Sequence, residues 1–300
     1  MEPFAIVVDT SCDLPPEYLE EHNIEILPIP FILDEVAHDK GYWQEISDSE
    51  FYDSLRNGSE AKTSLINPDV FTKSFTEHIE QGREALFIIL SSGLSATFQS
   101  SLIALEQIKN THPNPGMYPI DGLCATSLNG LLTMLAVEKR KEGLTAGETA
   151  ACLEQKKHSL LGFFTVDDLM YLHRGGRLSK LSAIGGSVLK IKPLLNIQPD
   201  GTLALKDKAR GRDAALKLMV SQMQKCISPD ALLDTVFITH TDCESDACKL
   251  AEMVKNTVDV RQIRVMMMGP VIGAHVGPGA VTLAFEANIT REEYENTSSK

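Results

Sequence analysis

Four short stretches of this 300-residue chain gather side chains able to hold or transform a ligand. SSGLSATFQS (91–100) leads from a strand-like LFIIL through a glycine turn into a helix pattern, with Ser95 and Thr97 in its first turn. Hydroxyls and free N–H groups at a helix start suit an anion, although serine and threonine there more often serve simply as caps. AKTSLINPDVF (61–71) offers Thr63 and Ser64 ahead of a turn, with Asn67 and Pro68 placed to open a helix. YLHRGGRLSK (171–180) sets Arg174 and Arg177 around a glycine pair, with Lys180 beside them. That arrangement fits phosphate or an acidic partner, and equally a helix end with a glycine stop. GPVIGAHVGPGA (269–280) carries His275 among four glycines and two prolines and reads as a loop between strands. An imidazole presented there can donate to a carboxylate or act as a general base.

The elements that must position these residues follow from the apolar pattern. FAIVV (4–8), IEILPIPFIL (24–33), ALFIIL (85–90) and MYPID (117–121) read as buried strands alternating with helices, among them one from about 95 to 109. This grammar predicts an N-terminal α/β domain over 1–160 with a mainly parallel sheet, whose ligands would sit at the carboxyl ends of the strands. Residues 34–64 form a long polar excursion with a helix pattern at SDSEFYDSLRNG, capped by Ser47 or Asp48, in the position of a lid or site wall. From about 160 the grammar changes to hairpin-joined strands, with PDG (199–201) as a turn, mixed with helices from 211 to 226 and at ESDACKLAEMVKN. The expectation is a C-terminal α+β domain over 161–287 with a mixed or antiparallel sheet, followed by a frayed tail over 288–300.

Composition narrows the function classes. With 28 basic against 41 acidic residues the net charge is −13, and no basic block exists to attract a nucleic acid. At 43% hydrophobic and 23% charged residues, the chain has ordinary globular proportions. No basic leader and no apolar run of bilayer length appear, which predicts a cytoplasmic protein without an integral membrane segment. The six cysteines are scattered without a CxxC pair, as reduced thiols are. The sequence contains neither GxxxxGK[ST], GxGxxG nor HExxH, and His22, His38, His78 and His158 stand singly, so no nucleotide, metal or other cofactor is expected.

VVDTSCDLP, KTSLINPDVF, SSGLSATFQS, YLHRGGRLSK, IKPLL with KARGRDAAL, and GAHVGPGA stand in one order across residues 4–285. Together they resemble the DegV family of bacterial lipid-binding proteins, over nearly the whole chain. The resemblance implies a two-domain α/β architecture enclosing a single fatty acid, and an accessory role as the fatty-acid-binding subunit of a fatty acid kinase. It implies a carboxylate held by Thr63, Ser95 and His275, with Ser64 and Thr97 alongside. It also implies a basic mouth or kinase-docking face at Arg174, Arg177 and Arg210. The chain departs from the family's pattern at Leu65 and Ala96, where TSQ and SGT are common, and the hydroxyls survive both changes.

A serine hydrolase is the alternative. GLSAT (93–97) comes close to a G-x-S-x-G nucleophile elbow, Ser95 precedes His275, and Asp242 ends a strand where a triad acid could stand. A third reading is an interaction module working through Arg174 and Arg177 alone.

Overall fold

The computed structural model describes residues 2–40, 45–178 and 191–298. The opening run AIVVD forms β1 (Ala5–Asp9), buried at every position. Its alternating side chains serve two faces: Ile6 and Val8 pack with Leu128, Leu132 and Leu153, whereas Ala5 and Val7 pack with Phe71, Phe75 and Ala104. Burial on both faces is what a parallel strand covered by helices requires. β2 (Ile24–Leu27) pairs beside it in parallel.

Pro28 and Pro30 then end the run, since proline has no N–H to give a ladder. The stretch 24–33, expected as one strand, is therefore two. β3 (Phe31–Leu33) lies in a separate antiparallel sheet between β4 (Val36–His38) and β5 (Ala61–Thr63). The helix Asp48–Arg56 belongs to this excursion and starts at Ser47, whose hydroxyl and Glu50 form a reciprocal capping box. β6 (Ala85–Ile89) and β7 (Met117–Asp121) complete the parallel sheet in the order β2-β1-β6-β7.

The second sheet comprises β8 (Leu160–Thr165), β9 (Ile191–Ile197), β10 (Leu203–Arg210), β11 (Leu232–His240), β12 (Asp259–Met267) and β13 (Val281–Glu286). Its order is β10-β9-β8-β13-β11-β12, antiparallel except for the parallel pair β11 and β12. Gly201, at φ +78°, makes the turn between β9 and β10 at the expected PDG. The molecule is thus α/β, with a parallel sheet in its N-terminal part and a mixed one in its C-terminal part. The helix Ser127–Lys141 lies between them: Leu128 and Leu132 share one apolar cluster with Ile6 of the first sheet and Phe237 and Ala284 of the second.

Two expectations are corrected. The stretch 269–280 is not a loop throughout, because Pro270–Val276 is helical with proline at its start. The terminal segment does not fray over 291–298, which form a helix. Arg291 there is buried and donates from Nε to the Leu160 carbonyl at 2.8 Å, while the Tyr294 hydroxyl donates to Gln222 Oε1 at 2.9 Å.

Candidate functional site

Between the two sheets lies a cavity whose empty space, with the open solvent at its mouth included, is about 690 Å³. Leu90 and Ala125 reach it from loops at the carboxyl side of β6 and β7, as expected for a parallel sheet. Phe164, Ile197 and Thr282 reach it from the second sheet, and Val271, Ile272 and Val276 from the helix Pro270–Val276. The wall is predominantly apolar.

Polar groups gather where this cavity meets a second hollow of about 810 Å³, lined by the Ser59–Thr63 segment, Tyr171 and Arg174. Thr63, Arg177 and His275 border both spaces and form the neck between them. His275 occupies the last turn of the helix, where its Nε2 lies 2.7 Å from the Thr63 Oγ1 at the end of β5. The ring packs on Gly175 so closely that a β-carbon at that residue would stand 2.6 Å from Nδ1. Burial, and then the Arg177 charge, lower the imidazole pKa to about 4, so the ring is neutral near pH 7. Arg177 is itself half-buried, with Nε donating to the Leu94 carbonyl at 3.0 Å and Nη1 to the Gly175 carbonyl. The neck therefore presents a cation, a neutral imidazole and a hydroxyl to whatever projects from the apolar cavity, a set suited to one carboxylate.

Ser64 and Ser95 also line the inner cavity. Ser95 Oγ lies 2.9 Å from Thr97 Oγ1 and accepts the Thr97 N–H at 3.2 Å. Ala96 is the cap residue of the helix Thr97–Lys109 and has no side-chain cap bond, so no hydroxyl holds the cap position at this helix start. Thr97 does not reach the cavity wall. It is fully buried behind Ser95, and its Oγ1 accepts from the Ile66 N–H at 3.4 Å, joining the serine turn to the Thr63 loop. Arg174 is exposed over the Tyr171 ring at 4.7 Å, in the outer hollow rather than at the neck. Arg210 is exposed at the end of β10 and borders neither space. Lys180 lies outside the described residues.

The geometry of a hydrolase is not assembled. Ser95 and His275 share no hydrogen bond among the described residues, and each is engaged elsewhere. Asp242 is held by Arg56, whose Nη1 meets its carboxylate and whose Nη2 donates to its carbonyl at 2.9 Å. The charge acting on His275 comes from Arg177, the wrong sign for the acid that orients a triad histidine.

Several residues of the site carried no signal in the sequence. Thr126 and Thr282 line the inner cavity, and their hydroxyls meet through Thr239, at 3.3 Å from Thr126. Ser91 donates to the Gly201 carbonyl at 2.8 Å, docking the β9–β10 turn onto the serine loop. The Thr126–Thr239 and Ser91–Gly201 pairings join residues more than 100 positions apart, beyond the reach of periodicity. No helix among the described residues is long and apolar enough to cross a membrane, and none of their His, Cys, Asp and Glu side chains group in threes suited to a metal.

Comparison with known proteins agrees with this architecture. Residues 3–288 match the family model described as "Uncharacterised protein, DegV family". A DegV domain-containing protein of Clostridium perfringens is 35% identical over 286 residues, spanning 95% of this chain and 98% of the relative. A solved structure from Thermotoga maritima, reported to reveal a fatty acid binding function, superposes with a TM-score of 0.83 at 26% identity, covering 96% of this chain and 100% of the other. The structure of DegV from Bacillus subtilis, described as a fatty acid binding protein, gives a TM-score of 0.80 at 26% identity with the same coverage.

Proposed function

The chain belongs to the DegV family, and from that premise we propose that it carries a single long-chain fatty acid and presents it to a separate kinase for acyl-phosphate formation. The carboxylate sits at the neck, held by Thr63, Ser95 and His275 with Ser64 beside them, and Arg177 supplies the balancing charge. The acyl chain lies in the apolar cavity. Each methylene buried there contributes about 0.8 kcal/mol, so a chain of roughly sixteen carbons contributes on the order of 12 kcal/mol before the costs of binding.

The observation that carries this reading is the junction at Thr63, His275 and Arg177 of a mainly apolar cavity with an outer hollow. Such a junction suits a carboxylate held at the boundary, within reach of an outside enzyme. Arg174 and Lys62 in the outer hollow give that enzyme cations to recognise, in a chain whose net charge is −13. The sequence carries neither GxxxxGK[ST] nor GxGxxG, which supports a separate partner as the source of the phosphoryl group. We place the carrier in the cytoplasm and divide it near residue 160, where the second sheet begins.

Native mass spectrometry of the purified protein, followed by organic extraction, tests the proposal. The expected result is one fatty acid per chain, retained less well in Ser95→Ala and His275→Ala. An empty protein labelled at Ser95 by a fluorophosphonate would overturn it in favour of a hydrolase.

A further inference from the structure

Behind the inner wall of the cavity, at the opposite end of the Pro270–Val276 helix from His275, stands a carboxyl group that the proposed function does not use. Asp13 follows β1 in a left-handed conformation, φ +51°, and is only 5% exposed. Its Oδ1 accepts the Gly269 N–H at 2.9 Å, and Gly269 is the residue from which that helix starts. Its Oδ2 is buried and makes no well-formed hydrogen bond among the described residues, although the Thr126 side chain lies close enough to favour the charged form.

The groups around Asp13 among the described residues offer it no cation. Asp9 and Cys12 lie on its own loop, Thr126 faces it from the start of the Ser127–Lys141 helix, and Asp48 bears on it from the Asp48–Arg56 helix. Gly269 faces it with only a backbone N–H. A charged carboxylate in such a place lacks both solvent and counter-ion. Burial accordingly pushes the Asp13 pKa up to about 8, against the Thr126 and Gly269 hydrogen bonds, which favour the charged form, and the nearby Asp48 and Asp9 charges act in the same direction as burial.

Next to Asp13, the helix is fixed again. The Tyr52 hydroxyl donates to the Met268 carbonyl at 2.6 Å, and a β-carbon on Gly273 would stand 2.3 Å from the same hydroxyl oxygen. At 1.5 Å rise per residue, the seven-residue helix spans about 10 Å from this seat to the neck. Both ends touch the cavity, through Met268 and Val271 at one and His275 and Val276 at the other.

We propose that Asp13 is a positioning residue: it seats the Gly269 end of this helix and thereby fixes where His275 meets Thr63. Burial disfavours the charge on the carboxyl by more than the Gly269 and Thr126 hydrogen bonds favour it, so ionisation in alkaline solution draws water into the seat and loosens the neck. The seat stands on geometry alone, while its effect on ligand rests on the fatty-acid reading.

Two measurements separate these. The first is an NMR titration of the His275 imidazole in ligand-free protein between about pH 8 and pH 5. In wild type and Asp13→Asn the ring stays neutral through this range. In Asp13→Ala the pKa rises by about one pH unit or more as the ring is wetted. A folded Asp13→Ala whose His275 titrates as in wild type overturns the proposal. The second is the dissociation rate of a bound fluorescent fatty acid between about pH 7 and pH 10. Wild type loses ligand about tenfold faster above pH 8 while Asp13→Asn remains flat. Identical profiles overturn the neutral-carboxyl seat even if Asp13→Ala does not fold. Failure of every variant to bind fatty acid refutes the carrier function and leaves the imidazole titration to judge the seat.

Discussion

Replacing His275 by glutamine should remove an acid sensitivity that the neck builds into the folded protein. The imidazole is held at a pKa of about 4 against 6.5 in the free side chain, first by burial and then by the Arg177 charge. Between those values the unfolded chain binds a proton that the folded chain excludes, so stability is intact above the upper value and falls as the pH drops through the window. At about 1.4 kcal/mol per pH unit, the gap amounts to roughly 3 kcal/mol. That is an upper figure, since the ring is not wholly shielded from water. Urea unfolding of wild type and His275→Gln at about pH 7, 6 and 5 measures it. Subtracting the two curves cancels Asp13 and Asp48, whose raised pKa values act in both proteins. Wild type should lose up to about 2 kcal/mol relative to the variant between pH 6.5 and pH 5. A flat difference would mean that the ring titrates freely, and the neck could not be the dry, neutral clamp derived above.

Two other substitutions separate clamp from partner surface. Gly175→Ala puts a β-carbon 2.6 Å from the His275 Nδ1 and must displace the ring; fatty-acid retention should fall about tenfold, as read by extraction, with little change in Tm. Arg174→Ala removes an exposed cation from the outer hollow, so retention should be unchanged while phosphorylation by the kinase proposed above slows. Equal loss of retention in that variant would place Arg174 in the clamp instead.

Much of the framework could be read from local pattern. AIVVD and ALFII announce buried parallel strands, and Ser47 with Glu50 announces the helix they cap. Other signals were present but outweighed. Thr290 and Glu293 form a capping box ahead of the last helix, which the polar composition of the tail hid. Pro270 marks a helix start that the surrounding glycines disguised as a loop. The site itself was not locally written. Thr63 and His275 meet across 212 positions, and resemblance rather than spacing joined them. Asp13 and Gly269 lie farther apart still, and nothing in DTSCDLP reveals that its second acid supports a distant helix.

The strand order of the second sheet has a consequence for synthesis on the ribosome. The parallel sheet is complete once β7 ends at Asp121, but β13 (Val281–Glu286) lies between β8 and β11. Until that strand emerges, β8 and β11 have no common neighbour, and the side of the Ser127–Lys141 helix that meets Phe237 and Ala284 stays uncovered. A nascent chain therefore displays much of its greasy interior until Val281–Glu286 is made, and closure waits on contacts of long sequence separation, the slowest kind to form. Thr282 of β13 is among the last parts of the pocket wall to be made, so the cavity closes only once that strand has paired.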